Sequence, residues 1–211
     1  YALVERPALR RWRQGSGRAP FVAALAALAV LLAAGLTVAG QAERIRRDPP
    51  EVARVASYLG FDQTARGVAQ YRTGTCFALP YDKPHDPACL RPASGRAEIL
   101  LVGDSHAAQL SQALRRAVAP AHVMQATAAG CRPVLVTKGL ASCRALTLAV
   151  LRDMDLSRVA GVVLAGRWFA GDVAPLADTV RALKARGVRV VVVGPMVEYD
   201  GDMPDLLARA M

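Results

Sequence analysis

Residues 99–106 read ILLVGDSH, four aliphatic side chains running into Gly103, Asp104, Ser105 and His106. A short continuous apolar run bounded by glycine and polar residues predicts a strand buried on both faces. A helical pattern follows, with Ala107, Leu110, Leu114, Ala117 and Val118 on one face. The same alternation continues downstream. HVMQAT (122–127) reads as a strand, a loop carrying Cys131 and a helix over roughly 144–156 come next, and GVVLAG (161–166) is a further strand. PLADTVRALKARG (175–187) is a helix with proline near its start and Gly187 as its stop, and VRVVVVGP (188–195) is the strongest strand pattern in the chain. A helix begins again in PDLLARAM (204–211). Apolar strands alternating with helices predict an α/β fold, a three-layer sandwich around a parallel sheet. Sites in such sheets lie at the carboxyl ends of strands, where Gly103-Asp104-Ser105 falls.

Upstream of this domain the text is different. Residues 19–42, APFVAALAALAVLLAAGLTVAGQA, contain no charged side chain. As a helix they would run roughly 36 Å at about 1.5 Å per residue, enough to cross a hydrocarbon core of about 30 Å. The expected division is a basic cytoplasmic arm at 1–19, a transmembrane helix at 20–40, an irregular extracytoplasmic extension at 41–95 broken by prolines, and the α/β domain at 96–211. The run is too long for a signal-peptide core, and the chain opens on Tyr1, which reads as a fragment of a larger membrane protein. Arginines flank the span on both sides, so charge only leans toward a cytoplasmic N-terminal side.

The four cysteines all follow the span, as two local pairs, Cys76 with Cys89 and Cys131 with Cys143. Close even pairing fits disulfides in an oxidising compartment, each short loop stabilising the fold by about 3 kcal/mol in the chain-entropy model. Zinc, with His85 near Cys89, is the competing reading, but no C-x-x-C spacing supports it, and no metal site is expected. The formal charge of +10 is spread along the chain, with 24 Arg against 3 Lys and no basic block interleaved with aromatics. That pattern argues against a nucleic-acid partner and for a milder attraction to anionic lipid or acidic glycan.

A serine hydroxyl needs a base to take its proton and donors to hold the oxyanion that forms on attack. A tight turn from strand to helix N-terminus supplies part of both, since backbone N–H groups there are open. The plainer reading is that Asp104 or Ser105 caps the helix. LLVGDSHA (100–107) resembles the first block of the SGNH hydrolase superfamily, in the version where histidine follows the serine, typical of domains fused to acyltransferase-3 membrane proteins. YALVERPALRR (1–11) resembles the end of that family's membrane part, and GCRPV (130–134) and LAGRW (164–168) resemble segments of its fused domains. The resemblance implies an SGNH, flavodoxin-like fold and O-acylation of an envelope glycan such as lipopolysaccharide, exopolysaccharide or peptidoglycan. It implies Ser105 as nucleophile and acyl carrier, Gly130 as a candidate oxyanion donor, and acyl-CoA as donor to a membrane part outside these residues. No cofactor is expected within the chain itself. The expected partners are the lipid bilayer, an acyl donor from the membrane part and a glycan acceptor, in the cytoplasmic membrane with the SGNH domain outside the cytoplasm.

Two departures from the family pattern stand out. AGRWF (165–169) occupies the place of the usual Gly-x-Asn-Asp, leaving Arg167 as a candidate oxyanion or substrate contact. No Asp-x-x-His occurs before Met211, so the base is expected downstream and the 211 residues alone are expected to be inactive. His106 is expected to line the pocket rather than to act as base, and His122 to be structural. The alternatives are a membrane-anchored esterase or deacetylase, and a glycan-binding module with a vestigial site.

Overall fold

The computed structural model describes residues 19–45, 49–79, 85–136 and 140–211. Most of the expected basic arm, and Pro80 and Pro84 of the extension, lie outside the described residues. Helix α1 runs Ala19–Ile45, and its Phe21–Gly40 stretch has a mean hydropathy of 2.5. It is long and apolar enough to cross a membrane. Alanine and leucine dominate it, the former being the best helix former, and Pro20 sits in its first turn, where a missing N–H is harmless. The Thr37 hydroxyl donates to the Ala34 carbonyl at 2.8 Å, so the one polar side chain inside that stretch is satisfied by its own helix, as a lipid environment requires. A short helix α2, Pro50–Ala56, follows.

Residues Ser57–Leu206 form a compact unit of their own. Its sheet holds β1 (Phe77–Ala78), β2 (Glu98–Gly103), β3 (His122–Ala128), β4 (Val159–Ala165) and β5 (Val190–Val193), in the order β1-β3-β2-β4-β5 with every neighbouring pair parallel. Between them lie α3 (Ala65–Tyr71), α4 (Ser105–Ala117), α5 (Ala141–Leu148) and α6 (Val173–Ala185), and α7 (Met203–Ala210) comes last.

Side-chain alternation along β2 explains the layers. Leu100 and Val102 point to one face, where Met124, Val162 and Leu164 meet Val150, Leu151, Val180 and Leu183 from the α5 end and α6. Ile99 and Leu101 point to the other, where Val123 and Val163 meet Ala107, Leu110 and Leu114 of α4. Burying both faces makes the strand text continuously apolar rather than alternating.

Several expected boundaries shift. The helix expected at 144–156 starts at Ala141 and ends in a wider turn over Ala149–Asp153. The helix expected at 175–187 is Val173–Ala185, with Gly187 at φ +77 just beyond it. The run 188–195 shortens to a four-residue strand at the sheet edge, with Val191 56 % exposed. The extension at 41–95 is not wholly irregular, since its Phe77–Ala78 pairs with Thr127–Ala128 as an edge strand. A two-residue strand carries too little pattern to be read among turns.

Candidate active site

Strand order places the turn after β2 in a special position. The chain leaves β2 for β3 on one side and then crosses back to β4 on the other, so the carboxyl end of β2 is a topological switch point. Gly103 is level with Thr127 and Ala165 on the flanking strands. A Cβ on Gly103 would stand 1.7 Å from the Ala165 carbonyl oxygen and 2.8 Å from the Ala107 Cβ, at φ +154. Only glycine lets β4 approach while the chain swings into α4.

Asp104 caps that helix and does more. Its Oδ1 accepts from the His106 N–H at 2.8 Å, and its Oδ2 accepts from the Arg167 N–H at 2.8 Å, with the residue only 2 % exposed. The Asp104 carbonyl takes the N–H groups of Ala107 and Ala108. Ser105, half-buried at the first helical position, makes no hydrogen bond through its hydroxyl or its N–H among the described residues. The open N–H and the positive end of α4 suit an anionic oxygen.

His106, the residue after the serine, opens onto a cleft of about 150 Å³ lined also by Arg167, Trp168, Phe169, Pro195, Met196 and Glu198; Ser105 itself is not among the lining residues. Glu198 bridges its charged side, with Oε1 3.5 Å from His106 Nε2 and Oε2 2.6 Å from an Arg167 guanidinium nitrogen. His106 Nδ1 is buried without a partner among the described residues. The Arg167 guanidinium lies 5.4 Å from the Phe169 ring centre, and that of Arg132, paired with Asp172 at 3.0 Å, lies 4.7 Å from it. The Trp168 Nε1–H donates to the Val193 carbonyl at 2.7 Å and fixes the indole against the end of β5.

The structure thus brings His106 and Arg167 together at the cleft. Gly130, at φ +67 on the loop after β3, is exposed and is not among the cleft-lining residues. The other two histidines stand elsewhere. His122 Nδ1 meets the buried Glu98 at 2.8 Å, at the opposite end of the sheet, and Glu98 also accepts from the Ala93 N–H. His85 Nε2 bonds the Cys76 carbonyl at 3.0 Å, and burial lowers the pKa of its imidazole. Disulfides join Cys76 to Cys89 and Cys131 to Cys143, with Cα separations of 5.4 and 5.3 Å, in place of the competing zinc reading. The second ties the Gly130 loop to α5. No metal-binding cluster occurs among the described residues.

Sequence reasoning missed Glu198, Phe169 and Met196. The signal was present, because the rule that drew attention to the end of β2 applies equally to the end of β5, where GPMVEYD (194–200) follows the valines.

The fold and the turn define a doubly wound parallel α/β domain that displays a serine at its switch point. Residues 71–211, about two thirds of the chain, match the family described as "SGNH domain (fused to AT3 domains)", and the chain belongs to that family. No curated protein matches it. Among solved structures, the periplasmic domain of the lipopolysaccharide acetyltransferase from Salmonella ser. Paratyphi A is similar in fold, with a TM-score of 0.53 and 20 % identity over 74 % of this chain. The match spans 63 % of the length of that domain.

Proposed function

We propose that this chain belongs to an O-acyltransferase of an envelope glycan and that Ser105 carries the acyl group between donor and acceptor. The observation that carries the reading is Ser105 itself, an unengaged hydroxyl beside an open N–H at a helix N-terminus, at the switch point of an SGNH domain. That the similar Salmonella domain is the periplasmic domain of a lipopolysaccharide acetyltransferase supports transfer over other fates of the acyl group.

In the first half-reaction the Ser105 Oγ attacks the donor's acyl carbon, its proton passes to a base, and the base hands that proton to the leaving group as its bond to the acyl carbon breaks. The negative oxygen formed on attack is held by the Ser105 N–H, with Gly130 as a second donor. In the second, a sugar hydroxyl attacks the acyl-serine and gives up its proton to the same base, which returns it to the Ser105 Oγ as the acyl–serine bond breaks, so that Ser105 leaves as the free alcohol. The base in this reading is a histidine of a downstream Asp-x-x-His segment, as the resemblance implies, because His85 and His122 are engaged away from the serine.

The acyl group reaches the site from acyl-CoA through an acyltransferase-3 membrane part, with Phe21–Gly40 as the last of several spans in the cytoplasmic membrane and the domain outside the cytoplasm. The two disulfides support an oxidising location. The reading is tested by incubating the full-length protein in membranes with radiolabelled acetyl-CoA, trapping at low pH and mapping the label. Label on Ser105, absent in Ser105→Ala, is the expected result; label elsewhere, or unchanged glycan acetylation in Ser105→Ala, would overturn it.

A further inference from the structure

The cleft onto which His106 opens, one residue after Ser105, has two unlike walls. Trp168, Phe169, Pro195 and Met196 offer apolar and aromatic surface, whereas His106, Arg167 and Glu198 form a bridged polar row. The three polar groups come from the segments that follow three strands, β2, β4 and β5, so their meeting is a product of the sheet and of no single loop. Their charges are balanced inside the row, Arg167 being paired to Glu198. Glu198 is 40 % exposed and Arg167 58 %, so both can still meet a ligand.

We infer that this cleft is the acceptor subsite and that Glu198 is its specificity-determining residue, selecting one neutral sugar ring over an acidic one. This rests on the transferase reading, and deepens it by naming the acceptor class. About 150 Å³ in an open cleft has room for one pyranose ring. A pyranose has a C–H face for the aromatic wall and a hydroxyl edge for the polar row. The Glu198 carboxylate accepts from adjacent hydroxyls, while Arg167 donates to one of them. An acyl chain would fill the apolar side but strip water from the exposed donor and acceptor positions of the polar row without replacing those hydrogen bonds, which is costly. A uronate or phosphosugar would bring its anion against Glu198 and compete with it for Arg167. His106, with one nitrogen toward Glu198 and the other unpartnered, braces the carboxylate from the serine side.

The test uses the full 211-residue chain in detergent micelles, titrated with the methyl glycosides of glucose, galactose and mannose, and with methyl glucuronide, followed by saturation-transfer NMR. At least one neutral glycoside is expected to saturate and to bind about tenfold more tightly than the glucuronide, about 1.4 kcal/mol. Glu198→Gln should weaken the neutral sugar about fivefold or more and erase or reverse the preference over the glucuronide, whereas a merely structural glutamate would weaken both alike. Glu198→Asp, which keeps the charge, should retain the preference. Saturation by none of the neutral glycosides, tighter binding of the glucuronide by the unaltered chain, or an unchanged preference in Glu198→Gln would overturn the proposal. Ser105→Ala should leave sugar binding intact, so that failure of acyl-serine formation and failure of the acceptor subsite read out separately.

Discussion

Asp104 holds the backbone of Arg167 through Oδ2 while its Oδ1 caps the helix that begins with Ser105, so one buried carboxylate joins the serine turn to the loop after β4. The arginine that stands where the family pattern has Gly-x-Asn-Asp is therefore fixed at both ends, its N–H by Asp104 and its guanidinium by Glu198.

Replacing Asp104 by alanine removes a helix cap, a loss of about 1 kcal/mol, and leaves the Arg167 N–H without its acceptor, a further loss of about 1–3 kcal/mol. Asp104→Ala should destabilise the domain by about 2–4 kcal/mol in urea unfolding. Asp104→Asn keeps one acceptor oxygen and should lose less. Equal stabilities of Asp104→Ala and the unaltered protein would show that neither bond contributes.

Gly103→Ala meets the Ala165 carbonyl oxygen at 1.7 Å, and that atom is part of the paired strand β4. Backbone atoms in a sheet cannot yield as a side-chain tip can. The substitution should destabilise by about 3 kcal/mol or more, at the top of the range for overpacking. Gly171→Ala, where a Cβ meets nothing within 4 Å, should change thermal stability little. Similar melting temperatures for the two variants would refute the close approach.

Much of this arrangement was legible in the sequence for a physical reason. A strand buried on both faces is apolar at most positions, so EILLV and GVVLAG announce themselves without an alignment, while HVMQAT carries the buried polar Gln125 and Thr127, which bond each other and the Tyr71 and Cys76 carbonyls. The same reasoning overstated 188–195, because an edge strand such as β5 can be as rich in valine as a central one while pairing on one side only. Ser105 was legible because its local text includes both the strand and the helix that display it. Glu198 was not, because its meeting with His106 and Arg167 depends on strand order, and strand order is a long-range property absent from any window of residues. Helix α5 was misplaced at its start because Leu140 offers no side-chain cap to mark it.

His85 gives a pH dependence of defined sign. Burial, reinforced by the nearby Arg72, lowers its native pKa, against the weaker opposing effects of its bonds to the Cys76 and Gln125 carbonyls and of Asp86. The unfolded chain takes up this proton near pH 6.5, and the native protein does so only at lower pH. Its contribution to stability is therefore full above about pH 6.5 and declines as pH falls toward the lowered native pKa. Melting temperatures between pH 7.5 and 5 should fall more steeply for the unaltered protein than for His85→Gln. Parallel curves would show that His85 is as free to protonate in the fold as outside it.

The two disulfides join cysteines 13 and 12 positions apart in the chain. In the chain-entropy model each contributes roughly 3 kcal/mol. Non-reducing peptide mapping of protein exported from the cytoplasm should recover a Cys76–Cys89 peptide and a Cys131–Cys143 peptide. A Cys89–Cys131 peptide would break the framework. Cys131→Ser with Cys143→Ser should lower stability by about that amount and loosen the loop that carries Gly130, slowing acyl-serine formation more than sugar binding.

The last prediction separates Ser105 from its neighbour. His106 follows it directly in the first turn of α4, where successive side chains diverge by roughly 100°, and its Nε2 is turned to Glu198 at 3.5 Å. A base must lie within hydrogen-bond reach of the proton it removes, and His106 instead belongs to the polar row of the cleft. In the full-length protein, Ser105→Ala should abolish acetyl labelling of the domain. His106→Ala should leave Ser105 labelled, with a loss of about tenfold or less in the rate of label formation and a larger effect on transfer to glycan. A base removed from the reaction would slow the labelling step itself by about 10²–10⁴-fold. Loss of that size in His106→Ala, with the protein still folded by circular dichroism, would make His106 the base and reverse the roles assigned to the two residues.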